Sequence, residues 1–96
     1  MIRFIQQILA SASVERAWLF GSYSRGEERP HSDIDILIDL DKQHPIGLFE
    51  LGRLTLRLEE ALGKEVDLVV NGAVKAYARE NIDRDKILIY EKTEGT

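Results

Sequence analysis

Cysteine is absent from this 96-residue chain, and methionine and tryptophan occur once each. The missing cysteine excludes disulfides, thiolate zinc sites and cysteine nucleophiles. No stretch approaches the roughly 20 apolar residues that a membrane-spanning helix needs. The first residues resemble a weak signal peptide, but Gln6 and Gln7 interrupt the apolar run. We therefore expect an amphipathic helix there, no membrane segment, and a cytoplasmic protein.

Positive charge is scarcer than negative charge: 13 Lys and Arg residues stand against 17 Asp and Glu residues, so the formal net charge is −4. Proteins that grip a nucleic-acid backbone usually have the opposite sign, which makes nucleic acid an unlikely direct substrate. A small nucleotide delivered with Mg²⁺ stays compatible, because the metal carries positive charge. The length and the ordinary globular composition predict a single domain over residues 1–96.

Helical and strand-like patterns alternate along the chain. Helical spacing of apolar residues predicts helices over 2–12, 48–62 and 74–81, with a short helical turn over 22–27. Strands are predicted over 14–20, 33–40, 65–70 and 87–90. This order indicates an α/β or α+β fold in which helices flank one small mixed sheet, and it leaves the strand order open.

The first chemical feature is Gly21-Ser22, which directly follows the first predicted strand. Glycine lets the backbone approach a ligand closely. The N–H groups that follow and the Ser22 hydroxyl could then meet phosphate oxygens at the start of the helical turn. The alternative is an ordinary capped turn, because strand-Gly-Ser-helix is a common arrangement.

The second feature is Asp33-x-Asp35, in which both carboxylates lie on one face of the strand over 33–40, opposite an unbroken row of Ile and Leu. Their β-carbons would be about 7 Å apart. That spacing suits a pair of Mg²⁺ ions roughly 3.5–4 Å apart, as in two-metal phosphoryl-transfer sites. The alternative is a solvated polar face. Without a cation, however, the acids on this face would repel one another.

The third feature is Asp67, on a later strand whose neighbours Val66 and Leu68 face the other way. If that strand pairs with the one over 33–40, Asp67 can face the same site. A third carboxylate could complete a metal shell and accept the proton of an attacking hydroxyl. Taken alone, an exposed strand aspartate is the simpler interpretation.

Together these features resemble the signature of the DNA polymerase β-like nucleotidyltransferase superfamily. Residues 21–39 read GSYSRGEERPHSDIDILID, and ten residues separate Ser22 from Asp33, as in the superfamily pattern of Gly-Ser, ten residues, and Asp-x-Asp. The run is similar to the small members called minimal nucleotidyltransferases (MNT). The resemblance extends from the strand before Gly21 through Asp67. Tyr23-Ser24 departs mildly from the residues that are usual there.

The resemblance implies a polymerase β-like nucleotidyltransferase fold and a magnesium-dependent enzyme that uses ATP. Asp33 and Asp35 would bind two Mg²⁺ ions, Asp67 would be the third acid, and Gly21 and Ser22 would hold the triphosphate. Arg25 would add a phosphate contact, because a guanidinium can bind two oxygens at once. A solvated arginine is its alternative.

Small MNT proteins resembling this one act as antitoxins of HEPN-domain RNase toxins. The activity that the resemblance implies is transfer of AMP from ATP to a tyrosine of such a partner. Two other activities stay open: a non-catalytic antitoxin that masks the toxin, and a nucleotidyltransferase acting on a small molecule such as an aminoglycoside. Addition of nucleotides to nucleic-acid ends is disfavoured by the net charge.

Overall fold

The computed structural model describes residues 1–93, so the last three residues of the predicted domain lie outside the described part. The elements in chain order are α1 (Ile2–Ala10), β1 (Val14–Phe20), α2 (Ser22–Arg25), β2 (Ile34–Leu40), α3 (Leu48–Leu62), β3 (Val66–Val70), a 3₁₀ turn (Asn71–Ala73), α4 (Ala76–Asp85) and β4 (Ile87–Glu91). Every predicted helix and strand is present. The bounds of the helix predicted over 74–81 were wrong, because its charged final turn hides the helical pattern beyond residue 81.

The four strands form one mixed sheet in the order β3-β2-β1-β4. β1 is antiparallel to both β2 and β4, whereas β2 and β3 are parallel. Parallel neighbours need a crossover connection, and α3 supplies it. The predicted mixed sheet with flanking helices is confirmed, and β1 and β2 are its two central strands because each pairs on both sides.

The main core lies between one face of the sheet and the helices α1 and α3. Ile34, Ile36 and Ile38 are fully buried on this face. The helices cover them with Ile5, Leu9, Leu54 and Leu58. The alternating pattern of β2 thus directs its isoleucines into the core, while its aspartates point to the opposite face.

That opposite face also carries buried residues. Leu37 is fully buried although it shares its face with the aspartates, and Ile82 of α4 is also buried. Neither belongs to the main core cluster. The Nζ atom of Lys86, directly after α4, lies 5.1 Å from the centre of the Trp18 ring, and Trp18 is the β1 neighbour of Leu37. β2 is therefore more buried than the half-buried strand expected from the sequence.

Among residues 1–93, no helix combines the length and the apolar character that crossing a membrane requires.

Candidate active site

Gly21 forms the turn between β1 and α2. Its φ of 72° and ψ of −154° lie in a region that essentially only glycine adopts. A β-carbon at this position would also overlap the carboxylate of Asp35, whose Cγ would be 3.0 Å away. The missing side chain thus allows the turn to lie directly against Asp35. Gly21 is therefore required by both backbone conformation and space.

Ser22 is the first residue of α2, and Gly21 takes the capping position without a side-chain cap. Within residues 1–93 the Ser22 hydroxyl makes no hydrogen bond, whereas Ser24 donates to the Gly21 carbonyl at 2.7 Å. Ser22 therefore does not form the capped turn that was the alternative interpretation. Its hydroxyl stays available to a ligand next to Asp35.

The three predicted acids lie at the same end of the sheet, at the start of the neighbouring strands β2 and β3. Asp33 directly precedes β2, Asp35 lies within it, and the parallel register pairs Asp35 with Asp67 of β3. Asp33 and Asp67 are exposed, and Asp35 is partly buried. The condition set for Asp67 from the sequence, that its strand pair with the one bearing Asp35, is met.

The electrostatics of this end of the sheet are unfavourable to negative charge. The pKa of Asp35 is raised to about 6 by burial, and further by the charges of Asp67 and Asp33, while Arg25 opposes the shift. None of the three acids forms an ion pair or a side-chain hydrogen bond with the rest of chain 1–93. The protein concentrates three carboxylates here without compensating them fully, which is the situation that a bound cation relieves.

The chemistry of these donors fits Mg²⁺ that is delivered with a nucleotide. Over residues 1–93 no three acidic, histidine or cysteine side chains form a complete metal-binding group. Mg²⁺ prefers hard oxygen ligands, and it is usually held by one or two carboxylates together with substrate phosphates and water. Asp33 and Asp35 can supply such carboxylates beside the turn at Gly21.

Arg25 is the one basic side chain of α2. It is exposed, and it forms ion pairs with Glu27 and, at 2.9 Å, with Asp85 at the end of α4. Its charge also lowers the pKa of Asp35, which locates it within electrostatic reach of the acids. The phosphate contact expected of Arg25 stays a prediction. Sequence reasoning missed Asp85, because no local pattern signals a partner 60 positions away.

A cleft of about 1290 Å³ lies at the opposite end of β2, but it contains none of the predicted site residues. Its polar groups bind one another: Arg16 contacts Asp39, Asn71 donates to Asp39, and Arg79 donates to Asn71. We place the chemistry at the end of β2 near Gly21, because its carboxylates lack such partners.

Comparison with known proteins identifies the family of this chain. A family model described as polymerase beta, nucleotidyltransferase matches residues 4–95. A relative from Methanocaldococcus jannaschii, provisionally named protein adenylyltransferase MJ0435, is 41% identical over 80 residues, which cover 83% of this chain and 84% of the relative. Protein adenylyltransferase MntA of Thermococcus cleftensis is 34% identical over 76 residues, covering 79% and 75%.

Solved structures share the fold. A minimal nucleotidyltransferase of 32% identity aligns with a TM-score of 0.75 over 90% of this chain and 86% of its own. A toxin–antitoxin structure with AMP-PNP reaches 0.79 at 23% identity, over 97% and 75%. A Shewanella oneidensis complex of tri-AMPylated HEPN toxin with MNT antitoxin reaches 0.68 at 20% identity, over 96% and 74%.

The fold and the acidic site define a nucleotidyltransferase, and the chain belongs to the polymerase β nucleotidyltransferase family. Its similarity to MJ0435 and MntA places it among the protein adenylyltransferases of that family. The resemblance, the fold and the enzyme class expected from the sequence are thereby confirmed.

Proposed function

We propose that this chain transfers AMP from magnesium-bound ATP to a tyrosine of a HEPN-domain toxin, and thereby acts as its antitoxin. The observation that carries the proposal is the placement of Asp33, Asp35 and Asp67 at the start of β2 and β3, beside the turn at Gly21. The similar complex of an AMPylated HEPN toxin with an MNT antitoxin supports the choice of acceptor. The cytoplasmic location expected from the sequence is consistent with a reaction that consumes ATP. This location stays a prediction.

In this proposal Asp33 and Asp35 would hold two Mg²⁺ ions, which would supply positive charge against the negative charge of the reacting phosphate. Gly21 and Ser22 hold the triphosphate, because the turn lies directly against Asp35 and the Ser22 hydroxyl has no hydrogen-bond partner among residues 1–93. The structure with AMP-PNP, an ATP analogue, supports a nucleotide in a fold of this kind.

The reaction is an in-line displacement at the α-phosphorus of ATP. The tyrosine oxygen forms a bond to this phosphorus, the bond to the bridging oxygen breaks, and pyrophosphate leaves. Asp67 is exposed and adjacent to Asp35, so it can accept the tyrosine proton. The rest of the chain serves mainly to position the reactants.

The test is the intact mass of a HEPN-domain partner after incubation with this chain, ATP and Mg²⁺. We expect a gain of one or more AMP units with the unchanged chain and none with the Asp33→Ala/Asp35→Ala variant. Asp39→Ala is the matched control: Asp39 lies on the same face of β2 but pairs with Arg16 and Asn71 at the other end. It should retain transfer.

The masking alternative predicts a different pattern. If the unchanged chain forms a complex with the partner and no mass is gained, the protein neutralises the toxin by covering it. A mass gain with the double variant would instead show that AMP transfer does not need Asp33 or Asp35.

A further inference from the structure

The guanidinium group of Arg25 is held from two sides. Its Nε donates to Glu27, and its Nη1 donates to Oδ2 of Asp85 at 2.9 Å. A guanidinium has five N–H donors, so donors remain for phosphate oxygens. Arg25 is thus restrained without being fully used.

Asp85 is the better anchored of the two partners. Its side chain is 13% exposed, against 63% for Glu27. Its other oxygen, Oδ1, accepts from Arg84 at 3.3 Å, so both carboxylate oxygens have fixed roles. Within the described residues, no other side-chain hydrogen bond joins α2 to α4. The position of Arg25 relative to the sheet therefore depends on α4.

From this arrangement we propose that Asp85 is a positioning residue, which holds the Arg25 guanidinium in place to meet the phosphates of the bound nucleotide. The inference rests on the proposed function, since it requires ATP at Gly21 and Ser22. Asp85 itself touches neither the nucleotide nor the reacting atoms. It acts only through Arg25.

The physical reason is preorganisation. An arginine has many rotamers, and a ligand that must immobilise it loses affinity. Because Asp85 already holds the guanidinium, most of the conformational entropy of Arg25 is lost when the protein folds rather than when the nucleotide binds. Asp85 also reduces the net positive charge near the phosphates, which acts in the opposite direction. The two effects predict opposite signs for removal of the carboxylate, so the measured sign decides between them.

The experiment measures the dissociation constant of ATP with Mg²⁺ by calorimetry for the full chain and for Asp85→Ala. Positioning predicts an increase of about threefold to tenfold, the range expected for losing one preordered side chain. Asp83→Ala is the matched control, because Asp83 also lies on α4 and forms ion pairs, with Arg79 and Lys86 rather than Arg25. It should leave the constant unchanged.

The double variant separates positioning from general destabilisation. If Asp85 acts through Arg25, Asp85→Ala should add nothing to the weaker binding of Arg25→Met, whereas independent effects would multiply. An unchanged or smaller dissociation constant for Asp85→Ala overturns the inference, and so does an Arg25→Met variant that binds normally. If the unchanged chain binds no ATP, the proposed function fails as well, so the two failures are distinguishable.

Discussion

The two ends of β2 carry aspartates with opposite ionisation behaviour. Asp35, near the start, has its pKa raised to about 6, whereas Asp41, directly after the strand, has its pKa lowered to about 2. Asp41 is nevertheless the more buried residue, at 8% exposed. Burial alone therefore cannot explain the difference between them.

The explanation is the supply of hydrogen-bond donors. Asp41 accepts from the backbone N–H of Gln43 at 2.9 Å and from Lys92 Nζ at 3.1 Å, and His44 lies 3.3 Å away. These contacts favour the charged form and hold the pKa down. Asp35 has no such partner among residues 1–93, so burial, and after it the charges of Asp67 and Asp33, raises its pKa. The protein itself supplies the donors that stabilise the Asp41 carboxylate, whereas the charge of Asp35 needs a bound ligand to stabilise it.

The largest expected effect is on catalysis at the Asp35 end. Asp35→Asn should reduce AMP transfer by about 100-fold or more, because a neutral amide is a poor metal ligand and stabilises less charge in the transition state. Asp41→Asn should leave the rate constant of transfer nearly unchanged. Rates are measured by intact mass of the HEPN partner over time. A similar loss of rate in both variants would contradict the assignment of catalysis to the Asp35 end of β2.

The next effect concerns the turn that covers Asp35. Gly21→Ala should lower the free energy of unfolding by about 3 kcal/mol, because the new β-carbon meets both a glycine-only backbone conformation and the Asp35 carboxylate. Gly26→Ala is the matched control: Gly26 has a φ of 70° but open space around it. It should cost about 1 kcal/mol of backbone strain. Chemical denaturation measures both, and equal losses would show that the contact with Asp35 contributes nothing.

A smaller effect concerns stability at the two ends of the strand. Asp41→Asn should lower the melting temperature, because it removes the charge that Lys92 contacts. Asp35→Asn should raise the melting temperature slightly, because it removes a charge that burial and its neighbours disfavour. The gain in the free energy of unfolding should be about 1 kcal/mol or less. Thermal unfolding at neutral pH without metal checks both signs. Destabilisation by Asp35→Asn would mean that the carboxylate has a structural role.

The smallest effect is a pH dependence with two windows. The folded pKa of Asp35 exceeds its ordinary value of 3.8, so stability from its protonated form is complete below 3.8 and is lost as pH rises through about 6. The folded pKa of Asp41 is depressed, so its contribution is present above 3.8 and is lost as pH falls toward about 2. Urea unfolding across pH 2–7 should show that each asparagine variant loses only its own window. If one variant lost both parts of the pH dependence, the two ends of β2 would not titrate independently.

Local patterns were enough to predict the fold class and the candidate acids. The alternation of Ile34, Asp35 and Ile36 determines which side chains enter the core, because strand neighbours point to opposite faces. The ten-residue spacing between Ser22 and Asp33 identified the family, which the comparisons confirm. The individual roles of these site residues stay predictions.

Other features depend on contacts between distant parts of the chain, so no local pattern reports them. The predicted end of α4 was wrong. In the last turn of this helix the one buried residue, Ile82, is surrounded by polar residues, so the sequence shows no helical apolar pattern there. The ion pair of Arg25 with Asp85 depends on where that helix docks.

By itself, the sequence determined the elements, the face of β2 that enters the core, and the residue types able to bind a metal with a nucleotide. Those properties follow from periodicity and chemistry within short segments. Only the tertiary structure decided that β3 pairs in parallel with β2, and that Asp67 therefore lies beside Asp35. It also decided that Asp41 finds donors and Asp35 does not. The physical reason is that pKa values and strand pairing depend on neighbours in space, which are remote along the chain.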